Sequence, residues 1–240
     1  MFYNLLVLFA GHILKFLSLF NKKIKKGVLG RSESFLKIKA GINESDRTIW
    51  FHCASLGEYE QGLPVFEAIK KRYPEHKIVL SFFSPSGYEI RKHSPIADVV
   101  IYLPLDTKAN SKKFIALLKP ELTIFVKYDI WPNYLIELQK KDYKSILISA
   151  AFRPEQIYFK WYGGNFKNAL KSFNHIFTQN KETLYLLKKI NYTQASFSGD
   201  TRYDRVTNQL QLNNTLEFVE TFKGDCLLLV IGSSWPEDET

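Results

Sequence analysis

From Thr48 to Ser198 the chain alternates short apolar runs with longer amphipathic ones, and no other feature narrows its possible folds so much. The pattern predicts strands near 48–54, 77–83, 98–102, 121–127, 144–149, 174–178 and 195–198. Helices are expected between them at 59–72, 87–93, 107–118, 132–141, 155–171 and 180–189. Strand and helix in regular succession mean an α/β fold with a parallel, doubly wound, Rossmann-like sheet. The runs Ile78–Phe83 and Ser145–Ser149 are apolar at successive positions, as strands covered by helices on both faces should be.

With 240 residues, 45% hydrophobic and 15% aromatic, the chain can bury one large or two modest cores. Its net charge of +9 suits a polyanionic partner: nucleic acid, an anionic membrane surface or a phosphorylated lipid. No zinc-type Cys/His spacing, RNP-like aromatic strand or GKS/T phosphate loop is present, which argues against nucleic-acid and NTPase functions. Cys53 and Cys226 both lie in apolar, strand-like runs and are expected to be buried free thiols of a reducing compartment.

In an open α/β sheet, ligands collect outside the carboxyl ends of the strands, where helix N-termini and loop amides point outward. Phe51-His52-Cys53-Ala54-Ser55-Leu56-Gly57-Glu58 places a carboxylate at such a strand end, on the first turn of a helix. Glu58 can serve there as a general base, or simply complement the helix dipole. His52, inside the strand, reads as a packed core histidine. A second strand ends at Lys127-Tyr128-Asp129-Ile130-Trp131-Pro132-Asn133, with Pro132 suited to the first helical turn. Asp129 is either a second site acid or the N-cap of the helix beginning near Trp131. Between them, Ser84-Pro85-Ser86-Gly87-Tyr88-Glu89 runs a third strand into a capped helix.

Taken in order, H-C-A-S-L-G-E, S-P-S-G-Y-E, Y-L-P-L-D (Tyr102 to Asp106), K-Y-D-I-W-P-N and S-G-D-T-R-Y-D (Ser198 to Asp204) resemble the Kdo transferases of lipopolysaccharide synthesis over nearly the whole chain. These enzymes move 3-deoxy-D-manno-octulosonic acid (Kdo) from CMP-Kdo to a lipid A precursor. The resemblance implies a GT-B type glycosyltransferase with two facing Rossmann-like domains, inverting and needing neither metal nor cofactor. It implies Glu58 as the base acting on a glucosamine 6'-hydroxyl, with Asp129 orienting the acceptor. Ser55, Gly57, Ser86, Gly87 and Lys127 would line the substrate cleft, and Arg153 and Arg202 could hold lipid phosphates. Their alternatives are plain helix caps and solvated surface arginines. Gly232, Ser233 and Ser234 match the turn that would face the donor phosphate. Relatives commonly carry Glu at the position of Asp129 and a further acid at that of Lys127, so acceptor detail is where this chain departs from the pattern. Another GT-B enzyme acting on a membrane lipid and a noncatalytic membrane-surface module are the competing functions.

Residues 1–26 form the first expected segment, a mostly apolar stretch followed by Lys22, Lys23, Lys25 and Lys26. At helical spacing Asn4, Gly11, Lys15 and Ser18 share one stripe opposite Leu6, Phe9, Ile13, Phe16 and Phe20. Such a helix can lie on an anionic membrane surface, span it, or cover the sheet as a core helix. In the first two cases the body of the protein faces the cytoplasm, at the inner membrane. Residues 27–206 are the expected acceptor-side domain. Residues 207–240 read as a linker through Thr215, a helix at 216–222, and a strand Cys226–Ile231 that opens a donor-binding domain left incomplete at Thr240.

Overall fold

The computed structural model describes residues 2–238. Its seven strands are β1 (Thr48–Cys53), β2 (Lys77–Phe82), β3 (Val99–Tyr102), β4 (Pro120–Val126), β5 (Lys144–Ala150), β6 (His175–Thr178) and β7 (Ala195–Phe197). They make one parallel sheet in the order β3-β2-β1-β4-β5-β6-β7. The order grows outward from β1 in both directions, so the winding reverses between β1 and β4. Register is set by apolar pairs at the centre, where Phe51 lies beside Leu80 on one side and Ile124 on the other.

The described residues also form ten α-helices: α1 (Phe2–Leu17), α2 (Lys22–Gly41), α3 (Leu56–Arg72), α4 (Pro85–Arg91), α5 (Lys108–Leu118), α6 (Pro132–Lys140), α7 (Gly164–Leu170), α8 (Lys181–Lys189), α9 (Thr201–Leu210) and α10 (Glu217–Lys223). All six side chains of β1 are buried because the two faces of the sheet are covered by different helices. Trp50 meets Phe114 of α5, Phe125 of β4 and Tyr134 of α6 with ring centroids 4.8, 5.2 and 5.5 Å away. On the opposite face Phe51 stacks on Phe66 of α3 at 4.2 Å.

Helix α2 is an element the hydrophobic pattern does not announce, since residues 22–41 carry lysines on several faces. Asn21 starts it, its side chain accepting from the backbone N–H groups of Lys23 and Ile24. The helix lies along β3. A Cβ on Gly30 would fall 2.3 Å from the Tyr102 ring and one on Gly41 would fall 2.4 Å from Val99, so only glycine allows this approach. Ser34 Oγ, one turn on from Gly30, donates to the Tyr102 carbonyl at 2.6 Å.

Three expected elements come out differently. The helix predicted over 155–171 is a short 3-10 turn, Ile157–Phe159, followed by α7. The chain folds back at Gly163, where a Cβ would collide with the Ile157 carbonyl oxygen, and the Gly163-Gly164 pair interrupts what would be one helix. The linker predicted from 207 begins inside α9, which Asp200 starts by accepting from the Arg202 backbone N–H at 3.0 Å. No strand forms at Cys226–Ile231: Leu227, Leu229 and Val230 are exposed, and an unpaired strand has no ladder or covered face to hold it. Cys226 is accordingly exposed rather than buried, whereas Cys53 is fully buried in β1.

The chain forms one compact unit through Arg205 and a second from Val206 onward. Among the described residues no helix is long and apolar enough to cross a membrane. The stripe of Asn4 and Gly11 on α1 faces the protein: Asn4 Oδ1 accepts from the Lys108 N–H at 2.9 Å, and a Cβ on Gly11 would sit 2.9 Å from Leu105. Phe2, Leu5, Phe9, Ile13 and Phe16 are left exposed.

Candidate active site

The helix after β1 covers one face of the sheet and the helix after β4 covers the other. At the carboxyl ends of these adjacent strands the two chain directions part, the topological position at which open α/β sheets bind ligands in a crevice. Glu58, half-buried on the first turn of α3, stands on one wall. Its carboxylate accepts a short hydrogen bond from Ser55 Oγ, the residue that begins the helix. Asp129, in the loop between β4 and α6, stands on the other wall with its side chain 15% exposed. Both acids bear on Cys53 between them: burial pushes its thiol well up, and the charges of Asp129 and Glu58 push it further.

Asp129 does not cap α6. Trp131 occupies the N-cap position, and Asp129 Oδ2 instead lies 2.6 Å from Nε2 of His52. His52 is therefore more than core filling. Its Nδ1 faces Ser81 Oγ at 2.8 Å, Ser81 accepts from Trp50 Nε1 at 2.7 Å, and Trp131 Nε1 comes within 2.9 Å of His52 Nε2. A buried polar chain thus runs from Trp50 through Ser81 and His52 to Trp131, with Asp129 beside its His52 end.

The loop after β2 closes the same region. Ser84 N–H donates to the Ala54 carbonyl at 2.7 Å, and its hydroxyl caps α4 by accepting from Ser86 N–H at 3.3 Å. Gly87 is buried where a Cβ would sit 3.0 Å from the Ser55 backbone, so a larger residue would separate the two loops. Ser86 and Gly57 are exposed beside them. Phe83 packs on Trp131 with centroids 4.8 Å apart. Lys127 leaves β4 with φ +72° and lays its ammonium over the Tyr128 ring at 5.0 Å.

The remaining expected residues lie elsewhere or are otherwise engaged. Arg153 is exposed beyond β5, its backbone N–H held by Gln156. Arg202 is exposed too, and its guanidinium grips Asp200 Oδ2 through Nε at 2.8 Å and Nη2 at 2.6 Å. Gly232 and Ser233 form an exposed turn in the second unit, with Ser234 just after it and a short 3-10 helix at Pro236–Asp238. Glu239 and Thr240 lie outside the described residues. Among the described residues no cluster of three His, Cys, Asp or Glu side chains is placed to hold a metal ion.

Two residues of this region carry no signal in a pattern of hydrophobicity. Arg31 of α2 stacks on Phe83 at 4.4 Å and donates to the Leu103 and Phe83 carbonyls, and its burial lowers the guanidinium pKa. Asp106, the last residue of Y-L-P-L-D, is fully buried. It accepts from the α6 backbone at Asn133 (3.1 Å) and Tyr134 (3.1 Å), and from the Tyr3 hydroxyl of α1 (2.8 Å). Burial pushes its carboxyl up to about 6, even though these donors and His52 pull the other way.

The sheet order defines a Rossmann-like α/β domain of the kind found as the N-terminal half of GT-B proteins. Solved structures agree at the level of fold: the UDP-GlcNAc 2-epimerase of Neisseria meningitidis bound to UDP-GlcNAc superposes with a TM-score of 0.55 at 13% identity, covering 73% of this chain and 53% of that one. The UDP-GlcNAc 2-epimerase of Methanocaldococcus jannaschii gives 0.54 at 13%, covering 76% and 53%. Within that class, residues 29–205 match the 3-deoxy-D-manno-octulosonic-acid transferase (kdotransferase) family, and the chain belongs to it. The 3-deoxy-D-manno-octulosonic acid transferase of Rickettsia felis is 27% identical over 212 residues, covering 87% of this chain and 44% of that protein. The Chlamydophila psittaci transferase is 25% identical over 228 residues, covering 89% and 52%. That of Aquifex aeolicus is 34% identical over 99 residues, covering 41% and 27%. The chain spans about half the length, or less, of these relatives.

Proposed function

We propose that the chain is the acceptor-side part of an inverting transferase that moves Kdo from CMP-Kdo to a lipid A precursor. The observation that carries this reading is that Glu58 and Asp129 follow the carboxyl ends of adjacent strands β1 and β4, both near enough to act on Cys53, within a chain of the Kdo transferase family. Glu58 removes the proton of the acceptor hydroxyl as that oxygen attacks the Kdo anomeric carbon and the CMP phosphate departs. The hydrogen bond from Ser55 restricts the rotamers of Glu58, so less ordering remains to be done when acceptor binds. Asp129, beside His52, orients the acceptor amine or hydroxyls, and Phe83 and Trp131 give the crevice an apolar wall.

The donor phosphate requires a second wall, and Gly232, Ser233 and Ser234 belong to the part of the chain that would contribute to it. Residues 207–240 are then the start of the donor-binding domain. Helix α1 lies in the plane of an anionic membrane, at the cytoplasmic face of the inner membrane. Its exposed Phe2, Leu5, Phe9 and Phe16 enter the lipid boundary, and Lys22, Lys23, Lys25 and Lys26 meet headgroups.

The test is a titration of the isotope-labelled chain with a lipid A precursor in detergent micelles, beside a transfer assay with CMP-Kdo. Resonances of residues 55–58 and the Trp131 indole are expected to move with the acceptor and not with empty micelles. Transfer is expected only when a donor-binding half is supplied, in the same chain or separately. Robust turnover by this chain alone, or transfer from UDP-sugars in place of CMP-Kdo, would overturn the reading.

A further inference from the structure

Asp106 joins α1 to the start of α6. On one side it takes the Tyr3 hydroxyl, and around it α1 is fixed to the same loop twice more, by Asn4 at the Lys108 N–H and by Gly11 against Leu105. On the other side its two carboxylate oxygens take the first free N–H groups of α6, at Asn133 and Tyr134, which Trp131 at the N-cap position cannot satisfy with its own side chain. Asn133 Nδ2 returns a hydrogen bond to the Asp106 carbonyl, and Tyr134 Oη donates to the Pro104 carbonyl at 2.9 Å. The α6 start so held is the anchor of the Asp129-Ile130-Trp131 loop, and Trp131 reaches His52, which faces Asp129.

We infer that Asp106 is a positioning residue: it fixes the Asp129–Trp131 loop in a place set by how α1 is seated on the protein. This rests on the reading of Asp129 as a site residue. All three groups aimed at the carboxylate are donors, so both oxygens are committed and a displacement of Tyr3 is transmitted to the α6 start without an intervening flexible side chain. A carboxyl this deeply buried is costly to keep ionised, which makes each of the three donors matter. Attachment of α1 to a surface and the geometry of the crevice then become one linked equilibrium.

Tyr3→Phe tests this, because it deletes one hydroxyl and leaves both backbone bonds of the α6 cap in place. The signal to follow is the indole N–H resonance of Trp131 in the full chain, assigned by its disappearance in Trp131→Phe. The resonance is expected to shift in Tyr3→Phe and to stay put in Phe16→Ala, an exposed change on the same helix. Vesicles containing phosphatidylglycerol are expected to move it in the unaltered protein and to move it less in Tyr3→Phe at equal bound fraction. A Trp131 resonance unchanged by Tyr3→Phe, with or without a fall in melting temperature, would reduce Asp106 to a helix cap and overturn the inference. If vesicles do not bind at all, the docking of α1 fails as a reading, and the comparison in buffer still decides the role of Asp106.

Discussion

His52 Nε2 stands 2.6 Å from Asp129 Oδ2 at the edge of the sheet. The same nitrogen is 2.9 Å from Trp131 Nε1, and one ring nitrogen offers one in-plane position. If Ser81 donates to Nδ1, Nε2 carries the hydrogen and gives it to Asp129. If Nδ1 carries the hydrogen, Nε2 accepts from the indole and Asp129 loses its partner. The choice of tautomer therefore selects between two placements of the acid, and Ser81, already accepting from Trp50, is the group that sets it.

The His52–Asp129 relationship is measurable as a coupling energy. A double-mutant cycle with His52→Leu and Asp129→Asn is expected to give an interaction of about 0.5–3 kcal/mol, the range for contacting polar pairs. His52→Leu alone should cost about 1–3 kcal/mol because the Trp131 indole N–H loses its acceptor. Additive single-mutant effects in urea unfolding would show that the two residues are neighbours without a working bond.

Glu58→Gln removes a half-exposed charge and one acceptor from Ser55, so the melting temperature should change little. In a polypeptide that carries both walls of the cleft, transfer should fall by roughly two to four orders of magnitude, the usual worth of a positioned base. Ser55→Ala, which frees the carboxylate without removing it, should have a smaller effect. Near-normal transfer in Glu58→Gln would take the residue out of the base role.

The sheet and the strand-end positions of the two acids were legible in the sequence because each rests on local pattern. Continuous apolar runs mark buried parallel strands, and an acid just after such a run must lie at a strand end. What the pattern could not carry was contact between distant segments. His52 looks the same as any core histidine until Asp129, 77 positions on by sequence number, is brought beside it. Asp106 looks like a loop acid until α6 is placed over it. Helix α2 was missed because its contact face holds Gly27, Gly30, Ser34 and Gly41 around a single core hydrophobic, Ile38, and small residues register in no hydrophobic count although they set how closely the helix meets β3. The strand expected at Cys226–Ile231 failed for the converse reason: its local pattern is strong, but strand structure depends on a neighbour.

Asp106 should leave a mark on the pH dependence of stability. Its folded value of about 6 lies above the ordinary aspartate value of 3.8, so between these limits the folded protein binds more proton than the unfolded chain. Stability should therefore fall as pH rises from 4 to 6 and level off above, by about 3 kcal/mol for a shift of two pH units. Glu121 acts in a separate window. Hydrogen bonds from Arg47 and His76 lower it to about 2, so its contribution is present above the ordinary glutamate range and is lost as pH falls toward 2. Asp106→Asn should flatten the 4–6 segment of an unfolding-free-energy profile and leave the acid limb. An unchanged slope there would assign it to other groups.

Gly30 and Gly164 are both helical, and opposite signs are expected on substitution. Alanine at 30 would drive a methyl into the Tyr102 ring, overpacking that costs about 1–3 kcal/mol and outweighs the gain in helix propensity of about 1 kcal/mol. Alanine at 164, on the first residue of α7 with nothing within 4 Å, should be neutral or slightly stabilising. Equal melting temperatures for the two variants would mean that α2 moves off β3 without cost.

The last prediction concerns the outer face of α1. Over about 24 Å of helix, apolar side chains point away from the protein, and cations flank both ends. Lys22, Lys23, Lys25 and Lys26 follow its carboxyl end. Near its amino end, Lys108, Lys112, Lys140 and Lys141 line a polar cleft of about 620 Å³ together with Tyr3 and Asn4. An apolar strip between two basic margins fits the boundary of an anionic bilayer, where each lysine near the surface contributes about 1 kcal/mol. The protein should therefore sediment with phosphatidylglycerol vesicles and far less with phosphatidylcholine. Phe9→Glu with Phe16→Glu should abolish sedimentation, since two aromatic side chains lose about 1.5–3 kcal/mol of burial each. Changing the four cleft lysines to Gln should weaken binding to phosphatidylglycerol by up to about a thousandfold, four times that per-lysine energy, and leave the apolar contribution intact. Phe9→Glu with Phe16→Glu binding as well as the unaltered chain would mean that the exposed face of α1 is covered by something other than lipid.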